Sequence, residues 1–105
     1  MFKINNELWR VVKVPPQFSK LYRSDGSLSV AACDDITKTI YINEFIKGKF
    51  LKKVLTHEIT HAAMFSYNVI LTIDQEELLA DIIASYGEEI INITNQMFSK
   101  IRMGA

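Results

Sequence analysis

Short apolar segments rich in strand-forming residues and bounded by turn residues occupy the first half of the chain, a pattern that predicts β-strands. Three segments show it: residues 8–14, which end at Pro15-Pro16, and residues 28–33 and 37–43, which flank the turn residues Asp34-Asp35. In the third segment Ile40 and Ile42 fall on one side, and the residues between and beside them fall on the other. We therefore expect about three strands in a sheet with one buried face.

From residue 49 onward the apolar positions recur with a helical period of about 3.6 residues. Residues 49–66 predict a first helix, in which His57 and His61 fall within the apolar arc. A second helix is predicted to begin at Asp74, because Asp74 and Glu77 have the spacing of a capping box. Gly87 is a candidate position for a kink, and residues 103–105 are expected to fray. The second helix carries one long apolar stripe: Leu79, Ile82, Ile83, Tyr86, Ile90, Ile93, Met97 and Ile101.

Strands followed by helices predict a single α+β domain over residues 1–105, with a sheet packed on the two helices. Hydrophobic residues make up 49% of the chain and charged residues 23%, which is ordinary for a globular domain. The formal net charge is zero, so there is no electrostatic reason to expect a nucleic-acid partner. No apolar run is long enough to cross a bilayer, and residues 1–12 lack a secretory core, so no membrane partner is expected. Cys33 is the only cysteine, which favours a reducing, cytoplasmic setting.

The residues with the most specific chemistry are His57-Glu58-Ile59-Thr60-His61, an H-E-x-x-H motif on the first predicted helix. Side chains four residues apart lie on the same helical face, so both imidazoles can bind one Zn²⁺ ion. Glu58 lies beside that pair, where it can act as the general base on a zinc-activated water. Two rings buried on an apolar face also need polar partners, which a metal supplies.

A catalytic zinc site usually has three protein ligands, and the chain contains only two histidines. The third ligand is therefore expected to be a carboxylate or, with less support, Cys33. The second predicted helix offers Glu77 and Asp81 one turn apart, so one could bind zinc while the other accepts a hydrogen bond from a ligand histidine. Glu76, Asp81 and Glu44 are alternative ligands, and Glu77 could instead serve only as the capping residue.

These motifs together resemble the gluzincin clan of zinc metallopeptidases, which includes thermolysin-like enzymes and ImmA/IrrE-type proteins of bacteria and phages. That clan joins H-E-x-x-H to a downstream E-x-x-x-D helix, and residues 77–81 match the second signature. The resemblance covers residues 37–86, and the chain is about as long as the minimal minigluzincin members. It implies a small zincin-like domain with one zinc ion, Glu77 as the third ligand and Asp81 as the outer partner of a histidine.

The activity that the resemblance implies is that of a zinc-dependent endopeptidase acting on a protein or peptide substrate. The alternative is an ImmA/IrrE-like regulatory module that binds a protein and has weak or no proteolytic activity. A third hypothesis is a structural zinc protein, whose site would be closed by four protein ligands. The sequence does not determine the oligomeric state.

Three further expectations concern the surroundings of the predicted site. Thermolysin-like enzymes use an additional histidine to stabilise the tetrahedral intermediate, and Tyr67 and Tyr86 are candidate donors in its place, with Tyr41 and Arg102 as others. Minimal members of the clan resemble latent forms, so residues 88–105 are a candidate cover for the cleft. Residues 37–43 could pair with an extended peptide if they form a sheet edge, or they could be an inner strand.

Overall fold

The computed structural model describes residues 1–104, and it begins with a hairpin whose first strand the alternation pattern does not predict. Strand β1 (Phe2–Ile4) pairs antiparallel with β2 (Glu7–Val14), so that Ile4 lies opposite Glu7. The two turn residues, Asn5 and Asn6, have φ values of 48° and 66°. Asparagine tolerates this left-handed region better than most residues, so the Asn-Asn pair can close a two-residue hairpin.

The sheet has four strands in the order β1-β2-β4-β3, and the α+β class predicted from the sequence is confirmed. Strand β4 (Thr39–Asn43) pairs in parallel with β2 and antiparallel with β3 (Ala31–Asp34). Of the two alternatives for residues 37–43, a sheet edge or an inner strand, the structure shows the inner strand, because β4 has hydrogen-bonded neighbours on both sides. Strand β3 lies at one end of the sheet, next to α1, and has one unpaired edge.

Helix α1 (Gly48–Ser66) packs on one face of this sheet. The core between them contains Trp9, Ala31, Ile40, Ile42 and Ala62, with Leu51, Val54, Leu55 and Ile59 of the helix packed around it. As predicted, Ile40 and Ile42 share the buried face of their strand. The indole Nε1 of Trp9 donates a hydrogen bond of 2.8 Å to Oγ of Ser66. This contact fixes the carboxyl end of α1 over β2.

Helix α2 runs from Ile73 to Gly104, and its first turn differs from the prediction. The backbone N–H of Gln75 donates to Oγ1 of Thr72 at 3.2 Å, and the N–H of Thr72 donates to Oε1 of Gln75 at 3.1 Å. The capping box is therefore formed by Thr72 and Gln75, two residues earlier than the predicted pair of Asp74 and Glu77. Glu77 is not needed as a capping residue, and its side chain is available elsewhere.

The second half of α2 continues as helix through Gly87 without a break. Residues 88–104 are all exposed, and the helix axis carries them onward from the body. Residues 88–104 do not cover the cleft as expected, since an unbroken helix cannot fold back over it. Ala105, the last residue of the segment that was expected to cover the cleft and to fray, lies outside the described residues. Within residues 1–104, no helix combines the length and apolar character that crossing a bilayer requires.

Candidate metal centre

Helix α1 places the two histidines side by side, one helical turn apart. Their Nε2 atoms lie 3.1 Å from each other, and the ring planes are inclined by 63°. His61 is buried with 8% of its surface exposed, while His57 is partly buried. The Nε2 atoms of both residues therefore face one small volume at the inner side of the helix.

Glu77 on α2 reaches the same volume. Its Oε1 atom lies 2.9 Å from Nε2 of His61, and its Oε2 atom lies 3.3 Å from Nε2 of His57. One nitrogen from each histidine and one carboxylate oxygen of Glu77 all lie within 4.8 Å of one another. These three residues could hold a metal ion, and the structure brings together the set that the sequence resemblance implies.

The outward ring nitrogens of the histidines each face a second carboxylate. Nδ1 of His57 lies 3.0 Å from Oδ1 of Asp81, and Nδ1 of His61 lies 2.7 Å from Oε1 of Glu76. A carboxylate can only accept, so each Nδ1 atom carries the proton and donates it. This orientation leaves the Nε2 atoms free to act as electron-pair donors.

The centre therefore brings together three groups, each of which can donate an electron pair to the same small space. The two Nε2 atoms lie 3.1 Å apart, and both adjoin the Glu77 carboxylate. Such an arrangement is unfavourable unless a cation or an additional proton lies among the three groups. Nitrogen and oxygen donors in this geometry suit a divalent transition-metal ion.

Glu58 directly follows His57 on α1 and is buried, with 8% of its surface exposed. Burial raises the pKa of Glu58 above its ordinary value, while the nearby His61 and His57 act in the opposite direction. The carboxyl group lines the cavity beside the two rings. It is thus placed next to the candidate metal position and outside the set of three ligand atoms.

The cavity in front of the centre has a volume of about 560 Å³. One of its walls is formed by β3, through Ala31, Ala32 and Cys33. Burial, followed by the charge of Glu58, raises the pKa of the Cys33 thiol to about 12, so this cysteine is a neutral thiol in the wall. A second cavity of about 370 Å³ continues past His57 and Asp81 towards Phe50, and the two share Glu58 and Glu77.

Several residues considered as ligands or donors lie elsewhere. Glu44 follows β4 and lines neither cavity, and Cys33 is not among the three residues whose ligand atoms converge. Tyr67 and Tyr86 are exposed and also line neither cavity. Tyr67 ends α1, and Tyr86 lies on a different face of α2 from Glu77 and Asp81, so neither can donate to a group held at the centre.

Tyr22 and Arg23 line the larger cavity instead, and Arg23 also lines the smaller one. Both follow the short 3-10 turn at Ser19–Leu21, in a loop that Tyr22 and Leu28 close by bridging. The sequence gives no periodic pattern in this loop, and its position depends on contacts distant in the chain. The sequence did indicate that Glu76 lies near the site, since Glu76 adjoins Glu77 and is nearer to the apolar arc of the helix.

Comparisons of this chain with protein-family models, with curated proteins and with solved structures found no match. The geometry of His57, His61, Glu77 and their neighbours is therefore the basis for assigning a function.

Proposed function

We propose that this protein is a zinc-dependent endopeptidase. The observation that carries the proposal is the convergence of two imidazole Nε2 atoms and the Glu77 carboxylate, with both outer Nδ1 atoms held by carboxylates. Two nitrogens and one oxygen leave one position of a tetrahedral zinc ion open, which is the usual arrangement of catalytic zinc and not of structural zinc. The gluzincin resemblance assigns the same three ligands and supports this choice of metal.

Zinc bound by these residues supplies Lewis-acid chemistry that polarises a peptide carbonyl and makes water more acidic. Glu58 accepts the proton of the attacking water at its carboxylate and later transfers that proton to the departing amine. Its raised pKa suits both steps, because a stronger base holds the proton and the protonated acid is still able to release it. Glu76 and Asp81 keep the histidine rings in a fixed orientation during the reaction.

The free edge of β3 supports a peptide as the substrate. Ala31, Ala32 and Cys33 line the cavity that also contains Glu58, and their strand is paired on one side only, with β4. An extended peptide that added to this edge would gain backbone hydrogen bonds and pass in front of the centre. The strand that would bind the peptide is therefore β3 and not residues 37–43, whose strand is paired on both sides.

The regulatory binding module remains the second candidate, and one observation favours it. Tyr67 and Tyr86 line neither cavity, so stabilisation of a negatively charged intermediate would depend on loop residues such as Tyr22 and Arg23. In that case the centre would shape a protein-binding surface. Glu58→Gln would then leave partner binding intact, whereas His57→Ala would abolish it.

The deciding experiment measures metal content and cleavage on the same preparations. Full-length protein incubated with zinc and then dialysed is expected to retain about one zinc per chain, measured by mass spectrometry of the metal. Glu58→Gln should keep the zinc and lose cleavage of a denatured protein substrate by at least about 100-fold. Glu44→Gln serves as the matched control, since Glu44 is exposed and remote from the cavities.

Two results would contradict the proposal. Protein that retains no zinc after this treatment excludes the metal centre, and Glu58→Gln protein with unchanged cleavage excludes the proposed base.

A further inference from the structure

The apolar stripe of α2 is exposed over the second half of the helix. Its members there, Tyr86, Ile90, Ile93, Met97 and Ile101, are here called the α2 stripe. Each leaves about half of its surface exposed, from 48% for Met97 to 64% for Ile101. Isolated exposed apolar residues are common, but a continuous row of this length marks an interaction surface.

The stripe faces outward because the other face of α2 contacts α1. Ala80 is fully buried there, and Glu77 and Asp81 on the neighbouring positions reach the histidines. About two turns further on, Oε2 of Glu88 lies 2.7 Å from Nζ of Lys52. These contacts fix the rotation of α2 about its axis, so that the α2 stripe cannot turn towards the body.

The spacing of the α2 stripe is that of a helix pair. Tyr86, Ile90, Ile93 and Met97 follow one another at intervals of four, three and four residues, and Ile83 precedes them by three. This is the heptad spacing with which one helix packs against another. We propose that a second copy of this chain packs antiparallel against the α2 stripe.

The available area is sufficient for such a dimer. Five side chains of roughly 200 Å² each, about half exposed, bury roughly 1,100 Å² over both copies when they are covered. A specific interface needs about 1,000 Å² in total. The neighbouring Phe98, which is 58% exposed, enlarges the surface further.

The charges beside the α2 stripe favour the antiparallel orientation. Glu89 and Lys100 lie along the same edge of the stripe, separated by eleven positions, or about three helical turns. In an antiparallel pair the same edges meet, so Glu89 of one copy approaches Lys100 of the other. In a parallel pair opposite edges meet, so the two Lys100 side chains lie on different sides of the interface and neither meets Glu89 of the other copy. A membrane surface is the less suitable partner, because residues 88–104 carry two acidic and two basic side chains and lack a basic excess.

The proposal is tested by the mass of the full-length protein in solution. Sedimentation velocity at about 50 µM is expected to give twice the chain mass of 12.0 kDa. Ile93→Lys places a charge in the middle of the interface and should raise the dimer dissociation constant by roughly 100-fold or more. Asn92→Lys is the matched control, because it adds the same charge to the adjacent, polar side of the helix and should leave the dimer intact.

Exchange of charges tests the orientation without altering the apolar surface. Lys100→Glu should weaken the dimer about threefold, and the double variant Glu89→Lys, Lys100→Glu should restore it. A wild-type monomer at 50 µM overturns the proposal, whether or not the protein binds lipid vesicles. A dimer that Ile93→Lys does not weaken overturns it too. Failure of the double variant to recover overturns the antiparallel arrangement.

Discussion

Nδ1 of His61 lies 2.7 Å from Oε1 of Glu76, which directly precedes the candidate ligand Glu77 on α2. The Glu76 side chain is 21% exposed, so this hydrogen bond is well shielded from water. It determines which nitrogen of His61 carries a proton and therefore which nitrogen faces Glu77 and His57. The hydrogen bond from His57 to Asp81 has the same function but is more exposed.

From this difference we expect unequal effects of removing the two outer carboxylates. Glu76→Gln should weaken zinc binding by about 10- to 100-fold, and Asp81→Asn by less, because water can replace an exposed acceptor more readily. Competition with a chromogenic chelator measures the affinity. Asp74→Asn on the same helix, which makes no contact with a histidine, should leave it unchanged. Equal affinities of Glu76→Gln and wild-type protein would contradict this role for Glu76.

Replacement of Glu77 should have a larger effect on the metal than on the fold. Glu77→Ala removes one of three ligands and should lower zinc affinity by at least about 100-fold. Its side chain is 52% exposed and is not part of the capping box, so helix content by circular dichroism should be retained. Loss of helix together with zinc would indicate that Glu77 is chiefly structural.

Glu58 should oppose folding of the metal-free protein at neutral pH. Burial raises its pKa in the folded state above the ordinary value of 4.5, so folding favours the protonated form. Below pH 4.5 the group is protonated in both states and costs nothing; as the pH rises through the raised pKa, stability is lost. Glu58→Gln should therefore raise the free energy of unfolding by about 1 kcal/mol at pH 7, with the gain disappearing towards pH 4.5.

Chemical denaturation of zinc-free protein at several pH values measures this effect. A stability difference that is independent of pH would contradict it, since the difference would then arise from packing and not from charge.

The contact between Trp9 and Ser66 should contribute measurably to stability. Ser66→Ala leaves the fully buried indole Nε1 of Trp9 without its acceptor, which should cost about 1–3 kcal/mol. Urea denaturation monitored by tryptophan fluorescence is the measurement, and Trp9 is the only tryptophan. Ser85→Ala, an exposed serine on α2, should change stability by less than about 0.5 kcal/mol. Similar results for both variants would rule out a special role for Ser66.

The parts of the fold that depend on periodicity could be predicted from the sequence. Helix α1 begins within one residue of the predicted start, and Ile40 and Ile42 face the core as expected. Strand β1 could not be predicted in this way, because three residues are too few to show alternation. The start of α2 differs from the predicted one because Asp74–Glu77 and Thr72–Gln75 have the same capping-box spacing. Only the contacts of the folded chain show that Thr72 and Gln75 form the box.

For the site, spacing along a helix predicts which side chains share a face, but not which partner meets them. His57 and His61 are neighbours by the helical repeat alone. That Glu76 meets His61 and Asp81 meets His57 depends on how α2 crosses α1, which no local pattern specifies. Tyr22 and Arg23 line the cavity from the loop that follows Ser19–Leu21, and for the same reason they could not be predicted.

The candidate ligands and their supporting carboxylates all lie between residues 57 and 81, on two helices joined by a short connection. Their sequence separations are small, so little chain entropy is lost in bringing them together. Local contacts of this kind form early and quickly, whereas the parallel pairing of β2 with β4 joins residues nearly thirty positions apart. We therefore expect this helical pair to acquire its arrangement before the sheet is complete, and a metal ion present during folding to meet its ligands already assembled.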